Sequence, residues 1–226
     1  MLTLIIGNKN YSSWSMRPWV LMRELGIPFA EHLLKFHSAQ WAASIATLSP
    51  TRMVPVLWDG EPTAADAIAI WETVAIFEYL AERFPDRHVW PRDAAARAMA
   101  RAIVAEMHAG FRALRMAMPM NIRASHPGKG MNEDVTRNIE RIESLWRAAR
   151  QRFGASGPFL FGAFSAADAM YAPVAMRFMT YAPPLAADTT AYCTALRESR
   201  GVAEWMAGAR LENEFVEEDE PYAAKP

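Results

Sequence analysis

Up to residue 84 the chain is written in short apolar runs separated by glycine, proline and polar turns. Beyond residue 93 it is written in long stripes at helical spacing. Short runs suit strands buried in a sheet, whereas stripes recurring every three or four residues suit helices sharing a core. The change falls at "FPDRHVWPRD", Phe84 to Asp93, where two prolines and mixed charge read as a linker. Two units are therefore expected: residues 1–84, then a linker at 85–92, then residues 93–226.

The first unit opens with an apolar strand, Leu2 to Ile6. A helix follows, with Ser15 as its cap and Pro18 in its first turn, where a missing N–H costs little. Gly26 and Pro28 end it, and Phe29 to Phe36 form a second strand. Strand, helix, strand implies a parallel βαβ unit. A short helix over 38–46 leads to a strand at Val54 to Trp58 with Pro55 at its start. The Asp59-Gly60 turn sets up antiparallel pairing with Ala67 to Ile70. A helix over Glu72 to Phe84 completes a β-α-β-α-β-β-α order.

The second unit reads as all-helical. Met99, Ile103, Met107, Phe111, Leu114 and Met118 fall on one face of a first long helix. Val135, Ile139, Ile142, Trp146, Ala149 and Phe153 mark a second, ended by Gly154. A third starts after Ser165, shorter ones cover 189–198 and 202–209, and the acidic tail from Glu212 reads as irregular. The expected fold is an α/β N-terminal domain followed by an all-α C-terminal helical domain.

Composition narrows the function. The net charge of the 226 residues is −1, and no basic stripe points to nucleic acid. No apolar run reaches membrane-spanning length, and "MLTLIIGNKN" lacks the basic start of a secretory signal. A cytoplasmic protein is expected. The single cysteine, Cys193, excludes an internal disulfide and reads as a small buried hydrophobe. The five histidines show no metal-ligand spacing, and no glycine-rich phosphate loop is present.

Four stretches carry chemistry: "YSSWSMRPW", "SPTRMVPVL", "WETVAIFEYL" and "FSAADAMYAPV". In this order and spacing the chain resembles the glutathione S-transferase family, with a thioredoxin-like N-terminal domain and a helical C-terminal one. "YSSWSMRPW" is similar to the Ser-Ser-Cys-Ser-x-Arg signature of zeta-class transferases. The resemblance implies that Ser12 donates a hydrogen bond to the glutathione sulfur; Ser13 and Tyr11 are the other hydroxyls in reach. The chemistry is sound, since a hydroxyl donor and a helix N-terminus both favour the thiolate, which is the nucleophile. Trp14 stands where the signature has cysteine, so zeta-type isomerase activity and direct disulfide chemistry at that position are not implied. The pattern, with "AEMHAGF" at Ala105 to Phe111, resembles more closely a bacterial group of transferase homologues.

The resemblance implies a cis Val54-Pro55 bond whose preceding backbone pairs with the cysteinyl part of glutathione, and Arg52 near the glycine carboxylate. It implies that Glu72 and Thr73 hold the γ-glutamyl end. Ser165 and Asp168 read as a helix-capping box. His108, Phe111, Arg112 and Arg115, on the first long helix, are candidates for the electrophile pocket, with Asn121 and Arg123 joining them. An alternative reading of the arginine-bearing face is a solvated or dimer-facing stripe. The implied activity is transfer of glutathione to a small electrophile, in a homodimer, with glutathione as co-substrate and no cofactor or metal. A glutathione-dependent peroxidase or disulfide reductase, or a zeta-type isomerase despite Trp14, is the alternative within enzymes. A non-catalytic interaction module is the alternative outside them, since fold does not fix function.

Overall fold

The computed structural model describes residues 1–223. Strand β1 (Leu2–Ile6) pairs in parallel with β2 (Ala30–Leu33) and antiparallel with β3 (Val56–Asp59). β4 (Ile68–Trp71) runs antiparallel to β3, giving the order β2-β1-β3-β4. The parallel pair requires a crossover, supplied by α1 (Ser13–Glu24). β1 is apolar at successive positions because both faces of the sheet are covered. Leu4 and Ile6 pack with Val20, Leu21 and Phe77, from α1 and from α3 (Thr73–Arg83). Ile5 packs on the other side with Val56, Trp58 and Ile45 of α2 (Ala39–Leu48).

The helical part comprises α4 (Ala94–Ala109), α5 (Arg112–Ala117), α6 (Glu133–Phe153), α7 (Ala166–Tyr181), α8 (Ala187–Glu198) and α9 (Arg200–Arg210). α7 runs through its centre and is buried along nearly its whole length. Alanines at 166, 167, 169, 172 and 175 keep α7 slim, and both α4 and α1 pack against it. That α1–α7 contact joins the two parts of the chain into one core and determines what can meet at the N-terminus of α1. Ser165 and Asp168 form the capping box that their spacing predicts.

The first long helix differs from the expectation. Its apolar stripe continues from Met99 to Met118, but the helix stops at Ala109. Gly110 caps it, and Phe111 turns the chain at φ 56° before α5 begins. The periodicity did not reveal the break because Met107, Phe111, Leu114 and Met118 all still reach the same core. Strands are shorter than read: Phe29 and the 34–36 stretch flank β2, and Val54 and Pro55 precede β3. The acidic tail contains one 3-10 turn, Glu217–Asp219, and folds back over the first domain.

Among the described residues, no helix is long and apolar enough to cross a membrane, and no group of three or more His, Cys, Asp or Glu could hold a metal ion. Cys193 is a buried free thiol, pushed up to about 12 by its burial.

Candidate active site

The site is built on the N-terminus of α1. Ser12 caps this helix, correcting the expectation that Ser15 does. Its Oγ accepts from the Ser15 backbone N–H at 3.4 Å and donates to Ser15 Oγ at 2.7 Å. Ser15 Oγ in turn accepts from the Gly7 N–H at 3.1 Å, tying the helix start to the end of β1. The backbone angles of residue 12, not the residue types, decide which serine is the cap. Ser13, the first residue of α1, differs in one respect. Its Oγ accepts from Arg177 Nη2 at 3.3 Å, and its own proton has no partner among the described residues.

Trp14 follows, stacked between charges. The guanidinium carbons of Arg17 and Arg115 lie 4.1 and 4.7 Å from its ring centroid, and the His108 ring meets it edge-on at 5.2 Å. Arg17 and Arg177 are buried. Arg17 donates to the carbonyls of Met170 and Ser13, while its Nη2 has no partner among the described residues. Arg177 donates to the carbonyls of Met118 and Pro173. Burial lowers the pKa of all three arginines, Arg177 to about 10, and the repulsion of neighbouring guanidinia adds to it. A guanidinium nonetheless stays protonated in proteins at neutral pH.

Two cavities meet at Trp14, Met53 and Val54, which line both. The larger, about 610 Å³, holds Ser12, Ser13, Tyr11, Arg52, Arg112, Arg115, Arg177 and Asp219 on its walls. The smaller, about 190 Å³, is lined by Pro55, Glu72, Thr73 and His108. The Val54–Pro55 bond is cis. Glu72 sits at φ 68°, ψ 124°, a conformation that non-glycine residues seldom adopt and that clusters at functional sites. Its carboxylate faces His108 Nε2 at 3.5 Å. The Thr73 hydroxyl is buried and has no partner among the described residues. Residues 49–53 are held by Ser49 Oγ, which accepts from the Met53 N–H and donates to the Met53 carbonyl.

Most residues singled out in the sequence thus gather around this double cavity, but not all. Phe111 is buried in the core and lines neither cavity. Asn121 is buried and bonds Asn10. Arg123 bonds the Tyr11 hydroxyl and the carbonyls of Glu212 and Glu214, so both fasten the wall and do not line it. His108 faces the smaller cavity, whereas Arg112 and Arg115 face the larger, because the chain turns at Phe111. Sequence reasoning missed Arg177 and Asp219. A signal existed for Arg177: it is the lone charge in the otherwise apolar "YAPVAMRFMTY". Asp219 carried none, being one acid in a run of acids.

A four-stranded mixed sheet flanked by helices, followed by a helical domain, with a cavity at the N-terminus of α1 where the two meet, defines the thioredoxin-like two-domain class. The sequence matches the family model of the glutathione S-transferase N-terminal domain over residues 11–83 and that of the C-terminal domain over residues 132–208. These matches span more than half of the chain, which belongs to the glutathione S-transferase family. The fold is similar to that of a glutathione transferase homologue from Burkholderia solved with bound glutathione. That pair shares 23% identity, covering 92% of this chain and 98% of that one, with a TM-score of 0.66. Glutathione transferase Omega 2S from Trametes versicolor, in complex with 2,4-dihydroxybenzophenone, aligns over 93% and 96% at 19% identity and a TM-score of 0.68. Ure2p in complex with glutathione aligns over 92% and 94% at 17% identity and a TM-score of 0.65. At these identities the likeness is one of fold.

Proposed function

We propose that the protein is a glutathione transferase whose thiolate partner is Ser13. One observation carries this reading: the Ser13 hydroxyl lines the cavity at the start of α1 with its proton uncommitted, whereas the Ser12 proton is given to Ser15. Glutathione lies across both cavities. Its γ-glutamyl end sits at Glu72 and Thr73, its cysteinyl backbone runs beside Val54, and its glycine carboxylate points toward Arg52. The thiol proton leaves to solvent. The thiolate accepts from Ser13 Oγ–H in the positive field of the α1 N-terminus and Arg177. The thiolate then forms a carbon–sulfur bond with the electrophile. In a displacement the leaving group departs with its electron pair; in an addition the resulting carbanion takes a proton from water. The two halves of the site belong to different domains, and we read the protein as a homodimer on family grounds.

Titration of bound glutathione by thiolate absorbance tests this. The wild-type complex should ionise well below the free-thiol value of about 8.5. Ser13→Ala should return it toward that value and lower kcat/KM by about 100-fold, the scale seen when one such donor is removed. Ser12→Ala should keep the low pKa and cost about 1 kcal/mol of stability through the lost cap. A normal thiol pKa in the wild type, or a shift caused by Ser12→Ala alone, refutes the assignment.

A further inference from the structure

The larger cavity is electrically unbalanced. Four arginines line it, Arg52, Arg112, Arg115 and Arg177, against one carboxylate, Asp219. Among the described residues none of the four forms an ion pair. Acids are not scarce in this chain: Arg101 pairs with Glu78 and Arg141 with Glu106 on the surface. The cavity arginines are therefore left unpaired while exposed ones find partners.

Two of the four are set back from the cavity mouth. Arg177 is buried, its Nε and Nη1 fixed on carbonyls and its Nη2 on Ser13. Arg115 is half-buried and donates to the His108 carbonyl at 3.4 Å, while its guanidinium lies over Trp14. Arg17, buried against Trp14, adds a further guanidinium with no ion pair among the described residues. Burying an uncompensated guanidinium costs several kcal/mol, and low-dielectric walls focus its field into the cavity. An anion placed there relieves that cost. Beside these charges the wall is apolar, formed by Met116, Pro119 and Met120.

We infer that Arg115 and Arg177 form an anion subsite at the electrophile end of the cavity, and that the second substrate carries a carboxylate on an apolar body. The inference rests on the transferase reading. Glutathione's own carboxylates are accounted for in that reading at Thr73 and Arg52, whereas Arg115 and Arg177 stand on α5 and α7 of the helical domain. Asp219 is the internal group closest in kind to the ligand. Burial pushes its carboxyl to about 6, with Arg177 pulling it down, and it forms no ion pair within the described residues.

A matched pair of electrophiles tests this: 4-chloro-3,5-dinitrobenzoate and its carboxamide. With each, the glutathione thiolate displaces chloride, forming a carbon–sulfur bond while chloride leaves with its electron pair. The wild type should prefer the benzoate in kcat/KM. Arg115→Met should lower that preference by roughly tenfold or more, as loss of a charged partner does. Calorimetry with 3,5-dinitrobenzoate, which has no leaving group, reads the subsite without turnover, and its affinity should fall in parallel. Equal effects on acid and amide, or an unchanged dinitrobenzoate affinity, overturn the inference while leaving transferase activity standing. Loss of glutathione affinity in Arg115→Met also overturns it, by assigning the arginine to glutathione. If neither electrophile turns over but dinitrobenzoate binding still depends on Arg115, the transferase reading falls and the anion subsite stands.

Discussion

Thr73 holds a buried hydroxyl with no partner among the described residues, on the wall of the smaller cavity and in the first position of α3. A buried polar group without a hydrogen bond costs about 1–3 kcal/mol, which is the ground for proposing that glutathione completes it. The backbone of Glu72, held at φ 68°, supports the same proposal by a different route. Replacement by valine keeps the shape and removes the polar atom. Thr73→Val should therefore leave the thermal unfolding midpoint unchanged or raise it, and should weaken glutathione binding by about tenfold, the worth of one hydrogen bond. Calorimetry on both proteins checks the pair of outcomes; a destabilised variant with normal glutathione affinity would show a structural role. The family resemblance could point to Thr73 from sequence, because Glu-Thr before an apolar stripe is a pattern local to one helix start. The proposed preference for Ser13 over Ser12 could not be read that way. It depends on Arg177, which lies 164 positions away and reaches Ser13 only through the packing of α7 on α1.

Element α7 shows how a buried helix is held. Its capping carboxylate, Asp168, is fully buried and accepts from the N–H groups of Leu160 and Ser165, from Ser165 Oγ–H and from the Tyr192 hydroxyl. Burial outweighs these four donors and lifts its pKa to about 6. The folded chain therefore keeps a proton that the unfolded chain has released between roughly pH 4 and 6, and this group makes the fold more stable as pH falls through that window. The Tyr192 bond is charge-assisted only while Asp168 is ionised. Tyr192→Phe should cost about 2 kcal/mol at pH 7.5, where the carboxylate is charged, and about half that at pH 5. Urea unfolding at the two pH values measures both; equal costs would mean that Asp168 does not change its charge between them. The capping box was legible because it spans four consecutive residues, whereas the Tyr192 partner lies on another helix. The end of α4 was hidden for a related reason: hydrophobic spacing records which side chains face the core, and the turn at Phe111 leaves that unchanged.

At the scale of the whole molecule the acidic tail is a fastening between the two domains. The Glu212 carboxylate accepts from the backbone N–H of Lys9 at 2.7 Å and of Asn10 at 3.0 Å. Glu214 pairs with Lys35, Glu220 accepts from the Tyr11 hydroxyl at 2.7 Å, and Tyr222 donates to the Ala117 carbonyl at 2.7 Å. From sequence the tail is only a run of like charges. Its order comes from backbone donors in the 8–11 turn, which no side-chain pattern displays. That turn leads directly into the start of α1, since the Ser12 N–H donates to the Asn8 carbonyl at 2.8 Å. A tail that fixes Lys9 and Asn10 therefore fixes Ser12 and Ser13. Glu212→Gln puts an amide NH2 against one of the two backbone N–H groups, leaving a buried donor unpaired at about 1–3 kcal/mol. The expected result is a lower urea midpoint, faster hydrogen exchange at Lys9 or Asn10, and a bound glutathione thiol whose pKa rises part of the way toward its free value. Stability loss with unchanged exchange in the 8–12 stretch would place the effect elsewhere in the tail. An unchanged thiol would show that the α1 start keeps its geometry without the tail.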